Sequence, residues 1–577
     1  MKNTSNSPPK VVTPKTTFYG KVMNTTRRGQ KYYAFTGIPY ARSPIGHLRF
    51  MPPEPNDDMP PVFEATKNSP ECIQWDNLLG RGVVGTEDCL YLNIYSNRIP
   101  EPPLYYNTQP IVVFLHAGTW SAGGGSSEIF NPDYLLESSI MVITINHRLG
   151  PFGFLTTETE EAQGNYGLLD QIAALEWIRD NSRYFGGMND TVTIMGSGAG
   201  VLFHRAISLS GTAYSPHAII RDPNENTKKL AQKLSCKTTT SNSLISCLKT
   251  LPANKITEVI PSLYEWDEEP ILFGPVIDKK WMGKNAVIPD EPHHMIKHYE
   301  MLQVPWMVGT NKNDGAFRVQ DILKDPALVN QLNTNWDKYG PLLLHLTKYS
   351  CKDPVQIANR IKDFYMGKSH FGEYSIHKFI EMITDRFFLY PTEMASQEHS
   401  FYLRKYKQFV YRYILTYCGK KSFLDIMNKV NPKEEVKSTL GMKSLNPRFS
   451  NKQNDAHGLG VSFMDELLFL FPSPKLEFAY DLNFFGEEAA KVASMMQILW
   501  SNFIKGGDPT PIIPGGPEDV SPWGTWWEPY VKGTLYYMQI DPEMATQDTP
   551  LKEKEMNFWK DLPLFENRDK NVIRDEL

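Results

Sequence analysis

The stretch Val192-Thr-Ile-Met-Gly-Ser-Gly-Ala-Gly200 constrains this chain more than any other. Val192 to Met195 is an apolar run with β-branched residues, the mark of a strand, and it runs straight into a glycine cluster. A strand entering such a cluster turns sharply, because glycine alone adopts left-handed conformations freely. Turns of this kind carry nucleophiles in the frame G-x-S-x-G, where a strained bend lifts a serine hydroxyl above a sheet. Here the frame reads Gly196-Ser197-Gly198-Ala199-Gly200, so the nucleophile position holds glycine. Ser197 does not replace it: a frame centred there would be flanked by Met195 and Ala199, and the residue before the tip projects elsewhere. Gly198 has no side chain with which to attack a carbonyl.

The surrounding chain reads as a large α/β protein. Pro110 to Leu115 and Ile140 to Ile145 are continuous apolar runs, as expected of strands buried on both faces. Asp170 to Asn181 carries apolar residues at helical spacing, and the chain then turns into the strand at Val192. Strand, loop, helix and strand in this rhythm predict a mostly parallel twisted sheet with helices on both faces. With 577 residues, 41% of them hydrophobic, the chain can bury a large core as a single unit. Residues 1–15, rich in Ser, Pro, Asn and Lys, are expected to be a disordered tail, and Thr17 to Val22 an edge strand. The net charge of −5 leaves no footprint for nucleic acid. No apolar stretch reaches 18 residues, so no transmembrane segment is expected. The opening residues lack the apolar core of a signal peptide.

Other features point to the secretory route. The close pairs Cys72/Cys89 and Cys236/Cys247 suit local disulfides, with buried free thiols as the alternative, while Cys351 and Cys418 stand alone. Asn24-Thr-Thr and Asn189-Asp-Thr read as glycosylation acceptors. The charged tail 569–577 ends Arg574-Asp-Glu-Leu577, one residue from a retention address of the endoplasmic reticulum. The expected location is therefore extracellular or the lumen of that compartment.

Several blocks, in order, carry a resemblance. They are Gly37-Ile-Pro-Tyr-Ala41, Glu87-Asp-Cys-Leu-Tyr-Leu-Asn93, Asn165-Tyr-Gly-Leu-Leu-Asp-Gln171, Phe185-Gly-Gly187, Phe203 to Gly211 and Gly309-Thr-Asn-Lys-Asn-Asp-Gly315. Trp500-Ser-Asn-Phe and Gly507-Asp-Pro509 add a C-terminal match. The chain resembles the type-B carboxylesterase and cholinesterase family of α/β-hydrolases, over a domain spanning 16–568. The resemblance implies that Cys72–Cys89 and Cys236–Cys247 are disulfides. It maps the family's serine to Gly198 and its acid to Asp314, and Asp can orient a histidine as Glu does. The family's histidine maps to Phe463 in Gly460-Val-Ser-Phe-Met-Asp-Glu-Leu467, and Phe accepts no proton. His457, six residues upstream, is the runner-up base. The oxyanion hole maps to Gly118, Thr119 and Ala199, where backbone N–H groups do the work.

Family members also place a helix and loop of very roughly twenty residues after the elbow. Here Gly200 is followed at once by Val201-Leu-Phe-His-Arg-Ala-Ile207, so that helix is expected to be absent. Gly-Ser-Gly-Ala-Gly at the elbow is also how the non-catalytic neuroligin, neurotactin and glutactin type reads. The resemblance thus implies a catalytically inactive protein of the secretory pathway that binds a protein partner, as in cell adhesion. Two alternatives stand beside it. One is an ester hydrolase using Ser197 with His457. The other is a carrier of a small apolar ester or acid in the former gorge, lined by Trp75, Trp120 and Phe463, unless those rings are plain core packing. Neither a cofactor nor a metal is expected. Family members pair through a C-terminal helix, and Glu487 to Lys505 has the character for a homodimer, or for packing on its own sheet.

Overall fold

The computed structural model describes residues 7–567 except 78, 101–107, 197–202, 299, 420–421, 426–457, 473–485, 513–524, 532–533 and 535. Eleven strands form one sheet: β1 (Lys21–Asn24), β2 (Lys31–Pro39), β3 (Tyr91–Ser96), β4 (Gln109–Leu115), β5 (Met141–Ile145), β6 (Gly187–Gly196), β7 (Arg205–Leu209), β8 (Trp306–Asn311), β9 (Val410–Leu415), β10 (Tyr537–Ile540) and β11 (Ala545–Gln547). Their order across the sheet is β11-β10-β9-β8-β7-β6-β4-β5-β3-β2-β1. The seven strands from β10 to β5 run parallel, and antiparallel strands close both edges. This is the mixed α/β sheet expected from the rhythm of apolar runs.

Period-two alternation divides the central strands between two cores. In β4, Val112 and Phe114 join a core with Met195 of β6 and with the helix α3 (Glu487–Gly506), which contributes Met496, Leu499, Trp500 and Phe503. Ile111, Val113 and Leu115 face the opposite core with Ile194 and with Ala174, Leu175 and Ile178 of α1 (Tyr166–Asn181). The stretch Glu487–Lys505 therefore packs on its own sheet, against β4 and β6.

One central strand departs from this two-sided burial. All residues of β8 and β9, and Val192–Gly196 of β6, are buried. In β7 between them, Ile207 and Leu209 are buried while Ala206 and Ser208 stay half-buried. The cause is chain length. β6 and β7 are parallel neighbours, pairing Thr193 with Arg205 and Gly196 with Ser208. Only residues 197–204 join them, and a crossover carrying a helix needs a dozen or more residues. The expected loss of the helix behind the elbow thus shows as a central strand covered fully on one face only.

The N-terminus corrects two expectations. Residues 1–15 are not all tail: Lys10–Val12 pairs antiparallel with Thr17–Tyr19, and Val11 is buried. The run Thr17 to Val22 is two strands, broken at Gly20, where the chain passes from a three-stranded sheet (Lys10–Val12, Thr17–Tyr19, Val62–Glu64) into β1. A Cβ at Gly20 would collide with the Ala34 carbonyl and the Phe35 ring, so the crossing requires glycine.

Candidate active site

The candidate positions gather at the C-terminal ends of the parallel strands, where sites in open α/β sheets form. His116 to Thr119 follow β4, Gly196 ends β6, and Asp314 follows β8. Ser197, Gly198, Ala199 and His457 lie outside the described residues.

Asp314 is fully buried and its carboxylate is held on both oxygens. Oδ1 accepts a hydrogen bond from the Ser210 hydroxyl at 3.0 Å, and Oδ2 accepts one from the Asn311 backbone N–H at 2.9 Å. The Asn311 side-chain amide donates to the Ser462 carbonyl at 2.7 Å and to Glu466, in the first turn of α2 (Asp465–Leu470). Ser210 also hydrogen-bonds Glu466, so one hydroxyl serves two buried carboxyls. Burial, then the Glu466 charge, pushes Asp314 well above the usual carboxyl range. Burial lifts Glu466 to about 7, against the Asn311 hydrogen bond that lowers it. Asp465 is likewise lifted to about 7 by burial, although the N–H groups of Phe423 and Ser462 stabilise its charge. The partners that hold Asp314 are a hydroxyl and a backbone amide, and no histidine is among them. Ser210, Asn311 and Glu466 escaped sequence reasoning, although all three lie in the matching blocks quoted above.

The base position has another character. Phe463 is buried between Phe317 and Phe388, with ring centroids at 5.9 and 5.4 Å. Met464 beside it takes a left-handed conformation (φ 72°) and opens α2. The ring is part of the packed core and offers no proton acceptor.

The oxyanion turn keeps its shape. Ser121 and Ala122 donate their N–H groups to the Gly118 carbonyl at 2.9 and 3.0 Å. A Cβ at Gly118 would drive into the Ala122 carbonyl, so this position must be glycine. Thr119 and Trp120 sit at φ 47° and 66°, a conformation that disfavours β-branched and bulky residues. Behind the turn, His116 and His147 stack in parallel with centroids 4.8 Å apart. Burial first, then the facing His147, pushes His116 down to about 3, and burial takes His147 to about 4, so both rings are neutral. His116 Nε2 is buried with no hydrogen-bond partner.

Of the aromatics expected to line a gorge, Trp75 does so. It borders a cavity of about 130 Å³ with Thr119, Tyr264, Phe317 and Arg318. Trp120 instead packs edge-on against Phe154 at 5.5 Å, and Phe463 lies in the aromatic cluster above, so the core-packing alternative describes those two. Arg318 is not a free cation: it donates to Asp267 Oδ2 at 2.7 Å and to the Asp267 carbonyl at 2.6 Å. The Cys72–Cys89 and Cys236–Cys247 disulfides are formed, and Cys351 and Cys418 are free thiols. Asn24 and Asn189 are exposed. Among the described residues no cluster of three or more metal-binding side chains occurs, and no helix is long and apolar enough to cross a membrane.

Comparison with known proteins agrees with this architecture. Residues 7–559 match the profile of the Carboxylesterase family. The chain is 31% identical to the juvenile hormone esterase of Tribolium castaneum over 524 residues, covering 86% of this chain and 84% of that protein. It is 32% identical to venom carboxylesterase-6 of Apis mellifera, over 71% of this chain and 76% of that one. Carboxylesterase 1D of Rattus norvegicus is 29% identical, over 96% and 93% of the two chains. An α/β sheet with an elbow strand, an acid position after β8 and an oxyanion turn after β4, in a sequence matched from residue 7 to 559, places the chain in the carboxylesterase family.

Proposed function

We propose that this chain is a hydrolytically silent member of its family that acts by binding, as a protein-partner module of the adhesion type in the secretory pathway. The observation that carries the silence is the base position. Phe463 is packed between two phenylalanine rings, while Asp314, placed to orient an imidazole, binds Ser210 and faces a second carboxyl. With Gly198 at the nucleophile position, neither proton transfer nor attack on a carbonyl has a side chain to perform it. The two disulfides support the secretory setting. The binding role rests on the resemblance to non-catalytic members, a fold-level analogy.

A second reading is an ester hydrolase that uses Ser197 with His457. Its support is the retained oxyanion turn and acid position, together with relatives named as esterases. Fluorophosphonate labelling of the purified protein, beside hydrolysis of a chromogenic acetate ester, separates the two. Silence predicts no label and no product. Stoichiometric labelling mapped to one serine, with turnover lost in Ser197→Ala, would overturn it.

A further inference from the structure

A second cavity, of about 850 Å³, lies outside the remnant gorge, and neither Asp314, Phe463 nor the oxyanion turn lines it. Its size falls within the range of pockets that enclose small-molecule ligands. Ile220, Leu342, Leu346, Met394 and Phe565 give it apolar walls. Its polar groups are unusual in being matched already. Arg386, which is buried, pairs with Glu566 at 3.0 Å, and His345 pairs with Glu269 at 2.8 Å. At the exposed side Arg221 pairs with Glu291 at 3.0 Å, Lys229 with Glu265 at 3.3 Å and Lys348 with Asp222 at 3.5 Å. One further carboxylate, Glu225, is exposed at the lining. No cation is left over for an anionic ligand, and a carboxylate entering here would meet existing carboxylates.

His217 is the exception to this pairing. It lines the cavity, stacks on Phe387 at 6.0 Å, and neither ring nitrogen has a hydrogen-bond partner among the described residues. Burial, with His345 and Arg386 nearby, pushes its pKa down to about 3, so the ring is neutral and offers one donor and one acceptor. Apolar walls, matched charges and one unsatisfied neutral imidazole specify the occupant's chemistry. We propose that this cavity binds an uncharged amphipathic molecule, a chain with a single hydroxyl or ester carbonyl that meets His217, and discriminates against the corresponding carboxylate.

This site stands independently of hydrolytic silence. The test is calorimetric titration of the full chain with 1-decanol, methyl decanoate and sodium decanoate. One-to-one binding of the alcohol and the ester is expected, with decanoate about tenfold weaker or absent. His217→Phe, which keeps the stack on Phe387, should weaken alcohol binding about tenfold, the loss of one hydrogen bond. Leu342→Trp should abolish binding by filling the cavity, and Trp75→Ala should leave it unchanged. Preference for decanoate, no saturable binding, or sensitivity to Trp75→Ala but not to the two cavity variants would each overturn the proposal. Conversion of methyl decanoate to product would instead break the silent reading, since decanol offers no ester to cleave.

Discussion

The acid position and the base position of the site occupy one corner of the fold, yet their surroundings differ in kind. Asp314 lies in a polar pocket where Ser210, Asn311 and Glu466 are joined by hydrogen bonds. Phe463 lies in an apolar slot closed by Phe317 and Phe388. A buried carboxyl cannot stand bare, because an unpaired polar group in the interior costs several kcal/mol. Without an imidazole, this corner satisfies Asp314 with a hydroxyl, an amide and protonation. The base position needs nothing of the sort, since an aromatic ring that fills its space is stable by packing alone. A retained acid is therefore evidence of a satisfied pocket, not of catalysis.

The largest expected effect tests the apolar side. Phe463→Ala should destabilise the protein by about 3–5 kcal/mol, the range for truncating a buried phenylalanine, read as a drop in the denaturant midpoint. Loss near zero would mean that the ring is not part of the core and that the slot is open to a base. A companion experiment adds the missing hydroxyl: Gly198→Ser alone should show no ester turnover, because Phe463 supplies no base. Turnover from that single change would make His457 the base.

The polar side should be visible in pH dependence. The folded-state pKa values of Glu466 and Asp465 are raised to about 7, against ordinary unfolded values of about 4. Between these values the folded protein holds protons that the unfolded chain has released. Linkage then makes stability complete below the unfolded values and progressively lost as pH rises through about 7. The melting temperature should therefore fall from pH 5 to pH 8. Glu466→Gln, whose carbonyl can still accept from Asn311, should flatten that fall. An unchanged slope would place a cation beside these carboxyls.

Much of this comparison was legible before any coordinates, for particular reasons. Pro110–Leu115 and Ile140–Ile145 announce buried parallel strands because burial on both faces removes the polar alternation. The missing crossover helix follows from counting residues between Gly196 and Arg205. Gly198 and Phe463 could be judged from residue type, because neither can perform its step in any conformation. The rest depends on distant pairings. Ser210 and Asp314 lie 104 positions apart, and no local pattern announces their hydrogen bond. Lys10–Val12 is too short to signal a strand and exists only through its partner Thr17–Tyr19. Trp120 and Phe463 look like gorge aromatics in one dimension, and only the positions of Phe154, Phe317 and Phe388 assign them to packing.

The smallest effect sharpens the description of the acid. Ser210→Ala removes the one hydroxyl shared by Asp314 and Glu466 and leaves the Asn311 N–H bond to Asp314 in place. If both carboxyls are protonated at pH 5, the loss is that of a neutral hydrogen bond, about 1 kcal/mol. At pH 8 the hydroxyl is needed by an ionised carboxyl, and the same substitution should cost about 2 kcal/mol, the range for bonds to charged groups. The denaturant midpoint of Ser210→Ala relative to the parent, measured at both pH values, should thus widen as pH rises. A constant gap would mean that Asp314 and Glu466 keep one charge state across this range, and the contrast with Phe463 would then rest on hydrogen bonding without a proton.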